Sequence, residues 1–160
     1  MSVAEHRAHA PASVACFVLT VSDTRTLATE TSGRTIADLL AAAGHTVVDR
    51  QIVKDDPAAV QQIVRGALDD ERVRAIITTG GTGISRRDST FEAVTALFEK
   101  QLDGFGELFR MLSFEEIGSA AMLARATAGV VQGRVLFMLP GSEAAVRLGM
   151  PRLILPEPGH

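Results

Sequence analysis

The sequence has little aromatic character, with seven phenylalanines but no tryptophan and no tyrosine among 160 residues. It also lacks an excess of positive charge, because 16 lysines and arginines stand against 19 aspartates and glutamates, a formal net charge of −3. A protein that binds nucleic acid through stacked bases needs both exposed aromatic rings and a basic surface. We therefore expect no nucleic-acid partner.

Cysteine is nearly absent as well. The single Cys16 can form neither an internal disulfide nor a CxxC metal site, which is typical of a protein in a reducing compartment. No apolar run approaches the roughly 20 residues of a transmembrane helix, and the first dozen residues lack the apolar core of a signal peptide. Together these absences predict a cytoplasmic protein with no membrane partner.

Short apolar runs alternate with amphipathic segments along the chain. The runs are rich in β-branched residues and predict strands near residues 14–21, 46–53, 75–79 and 134–139. Apolar residues at helical spacing predict helices at 32–43, behind Asp56-Pro57, at 91–100, within 104–125 and after Ser142. This alternation predicts an α/β fold with a mostly parallel sheet covered by helices on both faces.

The ends of the predicted helices carry capping signals. Asp56 and Ser142 are candidate N-caps, Ser89 or Thr90 could cap the helix at 91–100, and Gly44 should end the first amphipathic helix. Residues 1–12 show no hydrophobic periodicity, so we expect a flexible amino-terminal tail followed by one domain over residues 13–160.

In parallel α/β sheets, ligands bind outside the carboxyl ends of the strands. That rule selects four segments here, at residues 22–25, 54–56, 80–88 and 140–142. All four should meet at one edge of the sheet, where we expect the functional site.

The most informative of these segments is rich in glycine. Residues 80–83 read Gly-Gly-Thr-Gly, and the absence of side chains allows backbone N–H groups to converge on an anion, although a tight turn also needs glycine. No lysine follows, as a Walker loop requires, and Arg86 stands where the dinucleotide fingerprint GxGxxG needs its third glycine. A P-loop NTPase and an NAD enzyme are therefore disfavoured.

Two carboxylates lie just after different strands. Asp55 and Asp88 could share a cation such as Mg²⁺. Equally, Asp55 could serve a capping role, and Asp88 could form an ion pair with Arg86 or Arg87. The segments Ser22-Asp23 and 140–142 leave the same choice open between anion binding and structural capping.

Taken together, these motifs resemble a known family. The chain is similar to the MoaB/Mog family of molybdenum cofactor biosynthesis over roughly Ser13 to its carboxyl terminus, and residues 109–118 look most like the shorter protein-B branch. The motifs that carry the resemblance are Ser22-Asp23, Thr79-Gly80-Gly81-Thr82-Gly83, Arg86-Arg87-Asp88-Ser89-Thr90, Gly104-Phe105-Gly106-Glu107 and Leu139-Pro140-Gly141-Ser142.

The resemblance implies a three-layer α/β/α molybdopterin-binding fold, assembled as a trimer or hexamer. It also implies adenylylation of molybdopterin, dependent on Mg²⁺ and ATP and releasing pyrophosphate, with the product passed to a molybdenum-insertion protein. By motif, Asp55 and Asp88 match the catalytic and metal-binding aspartates. The matching ligand-binding residues are Ser22, Asp23, Thr79, Gly80, Gly81, Thr82, Gly83, Ser85, Pro140, Gly141 and Ser142.

This sequence departs from the family pattern at one position, because active members commonly have proline where Phe91 stands. Some protein-B members have lost the Arg-Arg-Asp motif, whereas this chain retains it at residues 86–88. Two other functions remain open: a non-catalytic molybdopterin carrier, and a relative of the domain found in nicotinamide-nucleotide salvage proteins. The latter usually carry a second domain, for which 160 residues leave no room.

Overall fold

The computed structural model describes all 160 residues and contains one six-stranded sheet. The strands are β1 (Ala15–Val21), β2 (Thr46–Val53), β3 (Ala75–Thr79), β4 (Lys100–Gln101), β5 (Thr127–Val131) and β6 (Arg134–Leu139). Their order is β2-β1-β3-β6-β5-β4, and the first four are parallel to one another. These four are the strands predicted from the sequence.

Helices connect the strands and cover both faces of the sheet. They are α1 (Val3–His9), α2 (Ser32–Ala42), α3 (Pro57–Asp69), α4 (Thr90–Thr95), α5 (Asp103–Ile117) and α6 (Glu143–Gly149). A 3-10 segment over Gly118–Leu123 follows α5, and a π-helical turn over Met150–Ile154 follows α6. The π-helical turn lies at Pro151, a residue that cannot supply a helical N–H.

Two separate apolar cores define the layers. Alternate residues of β1 project to opposite faces, so Cys16 and Val18 pack with α2, α5 and α6, whereas Phe17 and Leu19 pack with α3 and α4. The expected three-layer α/β/α architecture is therefore confirmed. The central strands are buried on both faces, which explains why they appear as continuous apolar runs in the sequence.

The antiparallel edge of the sheet was not predicted. Strand β5 pairs antiparallel with β6, and the two-residue β4 pairs antiparallel with β5. The prediction of a helix over 91–100 is wrong at its carboxyl end: α4 ends at Thr95, and the chain turns so that Glu99 donates to the carbonyl of Val130. Pairing with a distant strand overrides the helical pattern there.

The helix predicted within 104–125 is also interrupted. It ends at Ile117, where Gly118 adopts φ of +66° and the 3-10 segment begins. Other predicted helix ends are confirmed: Asp56 accepts from the amide of Ala59 at 2.8 Å, Ser142 accepts from that of Ala145 at 3.1 Å, and Gly44 lies beyond α2 with φ of +86°.

Regular structure was not expected before residue 13, yet α1 forms there. Ser2 and Glu5 form a capping box at its start, and Arg7 pairs with Glu157 near the carboxyl terminus. No residue of α1 is buried, so hydrophobic periodicity could not have indicated it. No helix in the structure has the length and apolar character needed to cross a bilayer.

Candidate functional site

A cleft of about 520 Å³ opens at the carboxyl ends of β1, β3 and β6. Nine of the thirteen residues predicted for the site line it: Ser22, Gly80, Gly81, Thr82, Gly83, Asp88, Pro140, Gly141 and Ser142. The expectation that the four strand-end segments meet at one edge is confirmed, because the segment after β2 joins the others through the bond from the Asp55 amide to Asp23 at 3.1 Å. Asp55, from the segment after β2, is close by but does not line the cleft.

The glycine loop after β3 needs its glycines for close approach. Gly80 has φ of +98°, and a Cβ there would lie 2.2 Å from the carbonyl oxygen of Val21. At Gly81, φ is +70° and a Cβ would overlap the Thr90 side chain at 2.2 Å. Side chains are therefore excluded on both conformational and steric grounds.

The loop presents a row of unsatisfied donors. The backbone N–H groups of Gly81, Thr82, Gly83 and Ile84 donate to no protein acceptor. Their carbonyls behave differently: Gly81 accepts from the amide of Phe91, while Thr82 and Gly83 accept from the Arg125 guanidinium. Unpaired consecutive amides beside a cleft form the kind of concavity that binds anions.

Asp88 is the acidic residue closest to this loop. Its carboxylate packs against the backbone of Gly83, where a Cβ would lie only 2.5 Å from Oδ2. Oδ2 accepts from the amide of Ser85 at 3.1 Å, and Oδ1 accepts no hydrogen bond within the protein. Asp88 forms no ion pair with Arg86 or Arg87, so one oxygen remains free at the cleft.

Asp55 is more deeply held. It is only 5% exposed, and its Oδ1 accepts from the Ser89 amide at 3.2 Å, the Ser89 hydroxyl at 2.9 Å and the Thr90 hydroxyl at 3.0 Å. The prediction that Ser89 or Thr90 caps α4 is wrong, because both hydroxyls bind Asp55 instead. Asp55 Oδ2 has no hydrogen-bond partner and lies 3.2 Å from the position of a Cβ on Gly81.

Asp23 ties two loops together outside the cleft. It binds Arg87 in a fork, with Nε to Oδ2 and Nη2 to Oδ1 both at 2.9 Å, and its Oδ1 also accepts from the Asp55 amide at 3.1 Å. These bonds, chiefly those from Arg87, lower the pKa of Asp23. Asp23 therefore positions the chain around Asp55 and Asp88.

Two further predicted residues lie away from the cleft. The Thr79 hydroxyl is buried and donates to the carbonyl of Pro140 at 2.9 Å, which joins the ends of β3 and β6. Ser85 is exposed on the outer side of the loop, where its hydroxyl accepts from the amide of Arg87 at 3.3 Å.

Sequence reasoning missed two residues that shape the site. Glu30 lines the cleft at 2% exposure, pairs with Arg50 and accepts from the amide of Gly33 at 2.7 Å, thereby capping the start of α2. Arg125 donates hydrogen bonds to the carbonyls of Thr82 and Gly83 in the glycine loop, and it lowers the pKa of Glu92. Neither was indicated by the sequence, because the ion pair of Glu30 spans 20 positions and Arg125 reaches Thr82 across 43.

The residues present fit a magnesium ion that is held partly by the protein and partly by its ligand. Mg²⁺ usually keeps several waters and takes one or two protein carboxylates together with phosphate oxygens. Asp88 offers a free oxygen at the cleft and Asp55 offers Oδ2 nearby, whereas no group of three or more acidic, histidine or cysteine side chains is placed to hold a metal. The site therefore suits a cation that arrives with a polyphosphate.

A larger groove of about 910 Å³ lies at the opposite, amino-terminal edge of the strands. Its lining includes the apolar side chains of Phe105, Leu108 and Phe137. A phosphate-bearing ligand is better matched by the polar cleft, which has only three hydrophobic residues among its 19.

Fold and cleft together define an α/β protein with a glycine loop of unpaired amides outside the carboxyl ends of parallel strands. The family described as "Probable molybdopterin binding domain" matches residues 17–160. The chain belongs to this family of molybdenum cofactor biosynthesis proteins, as the resemblance of its motifs predicted.

Individual relatives agree. The chain is 53% identical to "Molybdenum cofactor biosynthesis protein B" of Bacillus anthracis, over 100% of this chain and 95% of the relative, and 52% identical to the Bacillus subtilis protein of that name over the same shares. A crystal structure of a molybdenum cofactor biosynthesis protein B superposes with a TM-score of 0.91 at 52% identity, covering 95% of each chain. The tungsten cofactor synthesizing protein MoaB from Pyrococcus furiosus superposes with 0.84 at 40% identity, covering 92% of this chain and 94% of that one.

Proposed function

We propose that this protein transfers the adenylyl group of ATP to molybdopterin in a magnesium-dependent reaction that releases pyrophosphate. The observation that carries the proposal is the row of unpaired amides at Gly81–Ile84 beside the free carboxylate oxygen of Asp88. The family assignment supplies the pathway, and the cleft chemistry supports a substrate with several phosphates.

In the proposed reaction, an oxygen of the terminal phosphate of molybdopterin attacks the α-phosphorus of ATP. The new P–O bond forms as the bond between the α-phosphorus and the bridging oxygen to the β-phosphorus breaks, and pyrophosphate leaves with that oxygen. The protein needs no covalent nucleophile, because phosphoryl-type transfer depends on positioning and on charge neutralisation.

The chain's own groups divide that work. The glycine-loop amides would hold phosphate oxygens, and Arg25, which lines the cleft, would add positive charge. Asp88 and Asp55 Oδ2 would hold Mg²⁺, which when bound neutralises phosphate charge and orients the leaving group. Asp23 and Arg87 would keep the two aspartate loops in place.

The test compares isosteric variants. Asp88→Asn and Asp55→Asn each retain size and an acceptor oxygen but remove a charge, so each should lower turnover by about 10²-fold or more, the scale of losing one preorganised electrostatic contact. Asp70→Asn is a matched control. Asp70 pairs with Arg72 at a distance of 2.7 Å, and neither residue lines the cleft, so this substitution should leave turnover unchanged. Adenylylated product and pyrophosphate are measured from purified protein, molybdopterin, ATP and Mg²⁺.

A non-catalytic molybdopterin carrier is the second candidate. The observation that favours it is the set of three donors on Asp55 Oδ1, because an aspartate bound in this way can have a purely structural role. The same assay separates the two functions. A carrier would bind molybdopterin without consuming ATP, and the Asp88→Asn variant would bind as tightly as the parent protein.

A further inference from the structure

Arg125 makes contacts that none of the proposed catalytic steps explains. Its Nε donates to the carbonyl of Thr82 at 3.0 Å and its Nη2 donates to that of Gly83. The guanidinium lies 4.6 Å above the ring centre of Phe91, and its Nη1 pairs with Glu92. Arg125 does not line the cleft but a separate pocket, which it shares with Phe91 and Arg110.

Holding a carbonyl also fixes an amide. In a planar trans peptide, the C=O of one residue and the N–H of the next point in opposite directions. Because Arg125 holds the carbonyls of Thr82 and Gly83, the N–H groups of Gly83 and Ile84 are directed away from Arg125. The Phe91 amide donates to the Gly81 carbonyl at 3.3 Å, and this bond fixes the direction of the Thr82 N–H in the same way.

Arg125 is itself held in place by a second arginine. Arg110 of α5 donates from Nη1 to the carbonyls of Ala124 and Ala126, the neighbours of Arg125, at 3.2 Å each. Gly106 permits this approach, because a Cβ there would lie 2.5 Å from the Ala126 carbonyl oxygen. The Gly104–Glu107 motif thus contributes to the site by placing Arg125.

We infer that Arg125 is a positioning residue, which acts through two loop carbonyls to direct the amides of Gly83 and Ile84 toward the phosphates of the bound nucleotide. The inference rests on the proposed function, since it assigns the phosphates as the ligand of those amides. It also gives Phe91 a role, because its ring supports the guanidinium in a way that proline could not.

The test uses Arg125→Gln and Arg125→Lys, with Arg72→Gln as a matched control that removes an ion-paired arginine far from the cleft. The first measurement is ¹⁵N relaxation of the Gly83 and Ile84 amides. The second is the dissociation constant for inorganic pyrophosphate, determined by calorimetry at a temperature where each variant is folded by circular dichroism.

Both Arg125 variants should lower the order of these two amides and weaken pyrophosphate binding by about tenfold or more, the scale of one lost charge-assisted hydrogen bond. A lysine keeps the charge but cannot hold two carbonyls in a fixed fork, so it should not restore binding. A KM for ATP that rises more than kcat falls would agree with this role.

Unchanged amide order in Arg125→Gln would overturn the inference, as would full recovery of binding in Arg125→Lys, because the charge alone would then suffice. If the parent protein binds no pyrophosphate, the proposed function fails while the relaxation data still decide the role of Arg125. Should the Arg125 variants not fold, Phe91→Leu removes only the ring beneath the guanidinium and should shift both measurements in the same direction by a smaller amount.

Discussion

Gly83→Ala offers a sharp test of the contact between the glycine loop and Asp88. The added Cβ would lie 2.5 Å from Asp88 Oδ2 and 2.9 Å from its Cγ, whereas ordinary contacts begin at 3.4 Å. The carboxylate must therefore move by roughly 1 Å. Gly83 does not have a positive φ, so the substitution introduces this displacement without backbone strain.

A displacement of about 1 Å in a group that positions the reaction costs on the order of 10²-fold in turnover. The cost in stability should be smaller. Moving Asp88 breaks its bond to the Ser85 amide, which corresponds to about 0.5–1.5 kcal/mol in the free energy of unfolding for an ordinary hydrogen bond. Because Asp88 is half-exposed, water can replace part of that bond, and we expect the lower end of this range.

The assay measures adenylylated molybdopterin at saturating ATP, alongside urea unfolding. Gly66→Ala is the matched control: Gly66 lies within α3 with nothing within 4 Å of its Cβ position, so alanine should raise stability by about 0.5–1 kcal/mol and leave turnover unchanged. If Asp88→Asn lowers turnover but Gly83→Ala turns over as fast as the parent, the contact between Gly83 and Asp88 is not important for the reaction.

Three further predictions follow from features outside the glycine loop. Arg87 lowers the folded-state pKa of Asp23 below its ordinary 3.8, so the ion pair stabilises the fold above pH 3.8 and this contribution is lost as the pH falls through the folded-state pKa. The difference in the free energy of unfolding between the parent and Asp23→Asn, measured by urea unfolding, should therefore be constant above pH 5 and shrink below 3.8. Burial raises the pKa of Cys16 to about 11 at 0% exposure, so a thiol reagent at pH 8 should label it only in denaturant, and rapid labelling of native protein would contradict its burial. Phe114 and Met111 of α5 are 61% and 53% exposed, and light scattering should show a trimer or hexamer that Phe114→Glu dissociates, whereas a monomeric parent protein would disprove assembly.

Strands β1, β3 and β6 could be predicted because each is dominated by apolar and β-branched residues, and β2 because such residues flank its polar centre at Asp49–Gln51. Strand β5 could not, since Thr127–Val131 contains Gly129, and the reason for that glycine is the distant Phe98 ring, which would lie 2.4 Å from a Cβ there. That contact joins residues 31 positions apart and leaves no local pattern.

The site shows the same division. Glycines after a strand and acidic residues at strand ends indicated the glycine loop and Asp88, because turn geometry and topology are local signals. The partition of roles was not predictable: Ser89 looks like a helix cap but binds Asp55, and Arg87 looks like the partner of Asp88 but binds Asp23. Which partner wins depends on the distances set by the whole sheet.

The contacts that surround the cleft join segments far apart in the chain: Arg87 binds Asp23 across 64 positions and Arg125 binds Thr82 across 43. Such contacts form only after long loops have closed, so they come after the local helices during folding. The cleft also needs Gly141 and Ser142, near the end of the chain. During synthesis, the segments that form β1, β2 and β3 therefore emerge well before the cleft can close, because the cleft also needs the segment after β6 and the start of α6.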